Sequence, residues 1–206
     1  MTSDLFSSSA QTIALPGTNE QCTLHYFPYF LTATESDQLF AQLLENTPWQ
    51  QSRIRIAGRT LPIPRLNAWY GDSGANYGYS GTRLPLNNWT PELMQLRQRV
   101  EAAANHHFNS ALLNLYRDGN DSVAWHSDDE PELGLEPVIA SVSLGAERRF
   151  QLKQKQGKER FELQLSSGAL LVMAGATQIL WQHQVPKERG AVRQRVNITF
   201  REVLQG

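Results

Sequence analysis

The sequence predicts a mainly β protein, a sandwich or barrel of short strands with flanking α structure, two helices covering its N-terminal side. Three observations carry this. From residue 110 onward, short alternating apolar and polar stretches recur between turn signals, the spacing of layered all-β folds. Upstream, two segments repeat apolar residues at helical intervals instead. The 206 residues, 40% hydrophobic and 19% charged, show no internal repeat and match the size of one core.

Residues 1–20, rich in Ser, Thr, Asn, Gln and Gly, read as a loose lead-in to a single domain over 21–206, with a first strand near Thr23 to Phe27. Leu39, Phe40, Leu43 and Leu44 then form a helical stripe, with Thr34 or Ser36 as N-cap and Asp37 in the first turn. Arg53-Ile-Arg-Ile-Ala57-Gly58 alternates basic and apolar residues before a Gly turn, as a hairpin strand does, and Arg59 and Arg65 add charge nearby. A solvated edge explains these arginines at least as well as a ligand would.

Trp69-Tyr70-Gly71-Asp72 and Tyr77-Gly78-Tyr79-Ser80-Gly81 set aromatics among Gly and Ser, a stretch too polar for a core strand. Such rings either stack on a flat ligand or pin the loop to the core. Thr90-Pro91-Glu92 is a helix start with Pro at the first helical position, and Leu93, Leu96, Val100 and Ala104 form its buried stripe to about His107. His106 and His107 fall where they complement the helix dipole. Strands are expected at 110–117, 122–127, 137–144, 147–153, 159–165, 169–173, 178–184 and 193–203, with a loop from Asp129 to Glu136.

Composition excludes several chemistries. The net charge of -1 gives no general attraction to nucleic acid, so any such binding needs local basic patches. Cys22 is the single cysteine, which excludes an intrachain disulfide and a thiolate zinc site. The first residues lack a basic n-region and an apolar core, and the longest apolar run, 169–176, is too short to span a bilayer. A cytoplasmic protein with no membrane association is expected.

The chemistry concentrates between Asn114 and Glu130. On an extended segment His126 and Asp128 project from one face with Cα atoms about 7 Å apart, a spacing that suits two ligands of one metal ion. His-x-Asp alone is a weak signal. His183 lies in the alternating segment Trp181-Gln-His183-Gln-Val, from which a neighbouring strand could add a third ligand. Two histidines and a carboxylate form the facial set of non-haem Fe(II) oxygenases, and the same set can hold catalytic zinc. In Arg195-Val-Asn197-Ile-Thr199-Phe-Arg201, the four polar residues share one strand face. The two arginine Cα atoms would stand about 20 Å apart, a gap that two guanidinium arms can close around a small dicarboxylate. Asn114 and Tyr116, also two apart, supply neutral donors. A zinc hydrolase has no need of such a clamp, whereas an iron oxygenase using 2-oxoglutarate does.

From about residue 53 to 202 the chain resembles the AlkB alkylated-nucleic-acid repair dioxygenases, in the branch of the mammalian DNA-repair homologues. The likeness is carried by Tyr70-Gly-Asp-x-Gly, Asn114-x-Tyr-x-Asp-Gly, His126-x-Asp-Asp-Glu130, Ile139-Ala-Ser-Val-Ser-Leu-Gly-Ala, Trp181-x-His183 and Arg195-Val-Asn-x-Thr-Phe-Arg201. It implies a double-stranded β-helix, the cupin-like jelly roll, with Fe(II) on His126, Asp128 and His183. It implies 2-oxoglutarate on Asn114, Tyr116, Arg195, Asn197 and Arg201, and O2 as the second co-substrate. By the same likeness Tyr79 and the His126 ring sandwich a flipped-out methylated base, Tyr77 and Glu130 hydrogen-bond to it, and Arg53, Arg55 and Arg59 meet phosphates.

The implied reaction is oxidative demethylation of 1-methyladenine or 3-methylcytosine in DNA, releasing succinate, CO2 and formaldehyde. The same chemistry on RNA or a protein methyl group is the alternative, because the iron and clamp residues do not identify the substrate. A monomer is expected. One departure bears on the strand form: relatives acting on duplex DNA carry an aromatic wedge where this chain has Ala57. A methyl group cannot fill the gap left by an extruded base, so single-stranded DNA is the expected preference.

Overall fold

The computed structural model describes residues 10–18, 22–56, 58–74, 84–190 and 192–204. Strands β1 (Gln11–Ala14) and β2 (Cys22–Phe27) precede helix α1 (Ala33–Asn46), the hairpin β3 (Arg53–Ile56) and β4 (Arg59–Pro62), β5 (Leu66–Gly71), the short β6 (Leu86–Asn87) and helix α2 (Pro91–Ala104). Then come β7 (Ser110–Tyr116), β8 (Val123–His126), β9 (Ile139–Gly145), β10 (Arg148–Gln154), β11 (Arg160–Leu165), β12 (Leu170–Gly175), the helical turn α3 (Thr177–Leu180), β13 (Trp181–Val185) and β14 (Arg195–Arg201).

The strands form an eight-stranded sheet, in the order β1-β2-β12-β9-β14-β7-β5-β6, and a four-stranded sheet, β11-β10-β13-β8. This is the jelly-roll layering expected. Period-two alternation decides what each sheet face carries. On β7, β9 and β14, Leu113, Leu115, Ala140, Val142, Leu144, Val196, Ile198 and Phe200 point away from the small sheet into one apolar cluster. Leu43 of α1 and Leu93, Leu96 and Val100 of α2 complete that cluster. A second cluster, including Phe150, Leu152, Met173 and Trp181, packs on the inner side. Intervening residues of β7, β9 and β14, among them Asn114, Ser141, Arg195, Asn197, Thr199 and Arg201, are polar and line a cavity.

Several local expectations are corrected. β1 occupies part of the stretch expected to be irregular and pairs along its length with β2. The N-cap of α1 is Thr32, two residues before the earliest candidate, because Glu35 reaches back to it and closes a capping box. Trp69 and Tyr70 are not loop aromatics. They sit in β5, 2% and 3% exposed, where pairing with β7 satisfies the backbone and the rings join the core.

Helix α2 begins as expected at Thr90 and Pro91 but stops at Ala104, where Asn105 takes a left-handed conformation (φ 48°). His106 and His107 face Glu202 and Glu101 at 3.2 and 3.0 Å, so carboxylates are their neighbours rather than the bare helix end. Residues 177–180 form α3, and the strand that follows starts at Trp181.

Candidate active site

β8 ends at His126, and Asp128 lies beyond it in irregular chain. The pair does not share one strand, yet both reach the same point. His126 stands opposite His183 across the β8–β13 ladder, with ring centroids 4.3 Å apart. One ligand atom from each of His126, Asp128 and His183 falls within 4.8 Å of the other two. His126 Nδ1 meets the carbonyl of Ala124 at 2.8 Å, so that nitrogen carries the proton and Nε2 is left as a donor lone pair.

The electrostatics keep all three groups ready to bind a cation. Burial pushes the Asp128 carboxyl up, but the Arg201 guanidinium, at 2.8 Å from Oδ1, outweighs it together with both histidines and holds the group at about 2. Burial, reinforced by His126, pushes His183 down to about 3, and burial lowers His126 as well. Neutral imidazoles beside an ionised carboxylate are the states a metal needs.

The cavity continues from this triad between the sheets, with Arg65, Arg195 and Arg201 against the one carboxylate of Asp128. That leaves an excess of two positive charges, matching a dicarboxylate. Arg195 is 1% exposed and donates from Nη2 to Ser143 Oγ at 2.9 Å. Its Nε and Nη1 are buried without a hydrogen-bond partner among the described residues, and burial lowers its affinity for its proton. A buried guanidinium left in this state calls for an anion, so the residues fit an acidic co-substrate on structural grounds alone.

The other clamp residues divide into two kinds. The Tyr116 ring lies against both Arg195 (5.1 Å) and Arg148 (5.5 Å). Asn114 Oδ1 accepts from Arg65 Nε at 2.9 Å, which orients its NH2 as a donor. Asn197, by contrast, donates to Ser141 Oγ at 2.6 Å and to the Val142 carbonyl, and accepts from Thr199. Its amide props the wall more than it grips a ligand. Arg201 sits at the metal end and Arg195 at the other.

A family model for the 2OG-Fe(II) oxygenase superfamily matches residues 23–201. The chain is 46% identical to mouse alpha-ketoglutarate-dependent dioxygenase alkB homolog 3, over 86% of this chain and 65% of that protein. It is 36% identical to the mouse DNA oxidative demethylase ALKBH2, over 82% of this chain and 76% of that one. The chain belongs to the AlkB family of 2OG-Fe(II) oxygenases.

Members of this superfamily need Fe(II), 2-oxoglutarate and O2. The chain spans just under two thirds of the length of the alkB homolog 3 relative. A solved structure titled "The structure of OsALKBH1" superposes with a TM-score of 0.62 at 18% identity, covering 87% of this chain and 97% of that one, and shows the shared fold.

Of the residues assigned to base and phosphate, Tyr77 and Tyr79 lie outside the described residues, as does Ala57. Glu130 is half-buried, and its Oε2 has no hydrogen-bond partner among the described residues. Arg53 and Arg55 are exposed on β3, away from the cavity lining, with Arg53 donating to the Thr60 carbonyl at 3.2 Å. Arg65 is no surface charge. It is 5% exposed, lines the cavity and holds Asn114 and the Ser122 carbonyl.

Ser141 and Ser143 were equally hidden as site residues, although their alternation with Ala140, Val142 and Leu144 marks the polar face of β9. Arg148 gave no signal at all. Its buried guanidinium donates to the carbonyls of Asp118, Asp121 and Pro186, joining two loops behind Tyr116.

Proposed function

We propose that the chain is an Fe(II)- and 2-oxoglutarate-dependent oxidative demethylase of N-alkylated bases in DNA, of the 1-methyladenine and 3-methylcytosine type. The products are succinate, CO2, formaldehyde and the unmodified base. The observation that carries this reading is the juxtaposition, in one cavity, of the His126–Asp128–His183 cluster and the partly unsatisfied Arg195 guanidinium. The names of the two relatives, a dioxygenase and a DNA oxidative demethylase, support the choice of substrate class.

In this reading His126, Asp128 and His183 hold Fe(II), which when bound supplies the oxygen-activating chemistry that consumes 2-oxoglutarate and oxidises the methyl carbon. Arg201 keeps Asp128 ionised and aimed, through the 2.8 Å contact. Arg195 takes the distal carboxylate, with Ser143 fixing one edge of its guanidinium so that the remaining N–H groups face the ligand. Tyr116 and the NH2 of Asn114 add neutral donors between the two ends. The apolar wall, including Leu112, Phe150 and Met173, keeps bulk water from the reacting atoms. By the family likeness, Tyr79 and the His126 ring take the base between them, Tyr77 and Glu130 hydrogen-bond to it, and Arg53 and Arg55 meet phosphates.

Preference for single-stranded DNA rests on Ala57, whose methyl group offers no wedge. Substituting Ala57→Phe is expected to raise duplex repair relative to single-strand repair at matched salt. The substrate class is tested by loading the protein anaerobically with Fe(II) and 2-oxoglutarate. Oxygen is then admitted with methylated single-stranded DNA, duplex DNA, RNA or peptide, and formaldehyde is measured. The reading predicts the fastest release from single-stranded DNA. Release confined to RNA or peptide would assign the same chemistry to the other substrate.

A further inference from the structure

We infer that Gln178 is a positioning residue that sets the metal affinity of the site by holding the main chain of Asp128. The inference rests on the reading of His126, Asp128 and His183 as the metal ligands. Because β8 ends at His126, the Asp128 backbone has left the ladder, and its N–H is buried with no strand to receive it. Gln178 supplies the missing acceptor: its Oε1 takes the Asp128 N–H at 3.0 Å, and the side chain is itself 1% exposed.

The amide can work in only one orientation, since a flipped side chain would turn its NH2 toward an N–H. The contact of Nε2 with Met173 Sδ at 3.5 Å favours the working orientation. A parallel tie runs from Ser127 Oγ to the carbonyl of Trp181 at 2.9 Å. The segment 177–181 therefore grips the loop that carries one ligand and leads, two residues on, into His183.

The consequence is a carboxylate fixed from both sides. Arg201 holds Oδ1 at 2.8 Å, Gln178 holds the backbone, and Oδ2 is left toward His183 Nε2 at 3.9 Å, on the side where the ion would sit. Without Gln178 the loop would have to be ordered at the moment of binding, and the affinity would fall by that amount.

Co(II) titration of the metal-free protein, followed by its visible absorption, tests this. Gln178→Met keeps the length and removes the amide. Gln178→Asn keeps the amide and shortens its reach, and is the milder change if the first fails to fold. Both are expected to weaken Co(II) binding by about tenfold, within the usual range for a lost outer partner of a ligand. The titration is run where the metal-free proteins are fully folded by their melting curves, so a difference in global stability cannot change the constant. A folded variant whose Co(II) affinity stays within about twofold of the parent, even with a lowered melting temperature, would make Gln178 a packing residue. If the parent itself binds no Co(II), or Asp128→Asn binds it as tightly, the ligand assignment fails instead.

Discussion

At Asp128, burial and charge pull a carboxyl in opposite directions, and the neighbouring Arg201 and histidines win. Asp128→Asn keeps the volume and the contact with Arg201 but loses the anion that a divalent metal needs. Iron-dependent turnover should fall by at least about 100-fold, beyond what loss of an outer partner costs, with the circular dichroism spectrum unchanged. Activity near that of the parent would remove Asp128 from the ligand set. Arg195→Lys tests the opposite end of the cavity. A lysine keeps the charge but cannot present a fork, so the KM for 2-oxoglutarate should rise by about tenfold, the equivalent of one charged hydrogen bond. The maximal rate should change much less. An unchanged KM would return Arg195 to a structural role. Arg195, Asn197, Thr199 and Arg201 are legible in the sequence because apolar Val196, Ile198 and Phe200 separate them strictly. Arg65 was not, because a lone arginine in a basic stretch looks solvated until the fold closes over it.

Elements were legible where one pattern dominated and illegible where two competed. Strands β7, β9 and β14 announce themselves by alternation, and α2 by Thr90 followed by Pro91. The strand β5 did not, because Gly71 and Asp72 close it with turn residues and the aromatic run suggested a ligand-binding loop. Helix α1 offered two candidate caps, Thr34 and Ser36, and the side chain of Glu35 selected neither but Thr32. Thr32→Ala removes the hydroxyl that accepts from the Glu35 N–H, leaves the backbone half of that capping box, and should lower stability by about 1 kcal/mol, read as a shift in urea midpoint. The helix stands behind the large sheet, so the KM for 2-oxoglutarate should not move. A loss of co-substrate affinity would mean that α1 reaches the site through the β9 strand it covers.

For the molecule as a whole, the site imposes a pH dependence whose sign follows from burial. His183 is pushed down to about 3, and His126 is also lowered, from an ordinary value of 6.5. Below about pH 6.5 the unfolded chain therefore takes up protons that the folded protein refuses, and stability is lost as the pH falls. Asp128 and Asp121, both depressed in the folded state, act with the same sign below about pH 4. The metal-free protein should show a lower urea midpoint at pH 5 than at pH 7, with a smaller difference in His183→Asn. Equal midpoints at the two pH values would mean that the imidazoles are not held neutral. The fold thus stores two uncompensated features in one cavity, a neutral imidazole pair beside a carboxylate and a guanidinium lacking an anion. The central claim is that both exist for one coupled reaction. Its most direct measurement is the ratio of succinate to formaldehyde formed from single-stranded DNA containing 1-methyladenine, with Fe(II), 2-oxoglutarate and O2 supplied. The account predicts equal amounts, both absent from Asp128→Asn. Succinate without formaldehyde on every methylated strand, or formaldehyde that does not require 2-oxoglutarate, would contradict it.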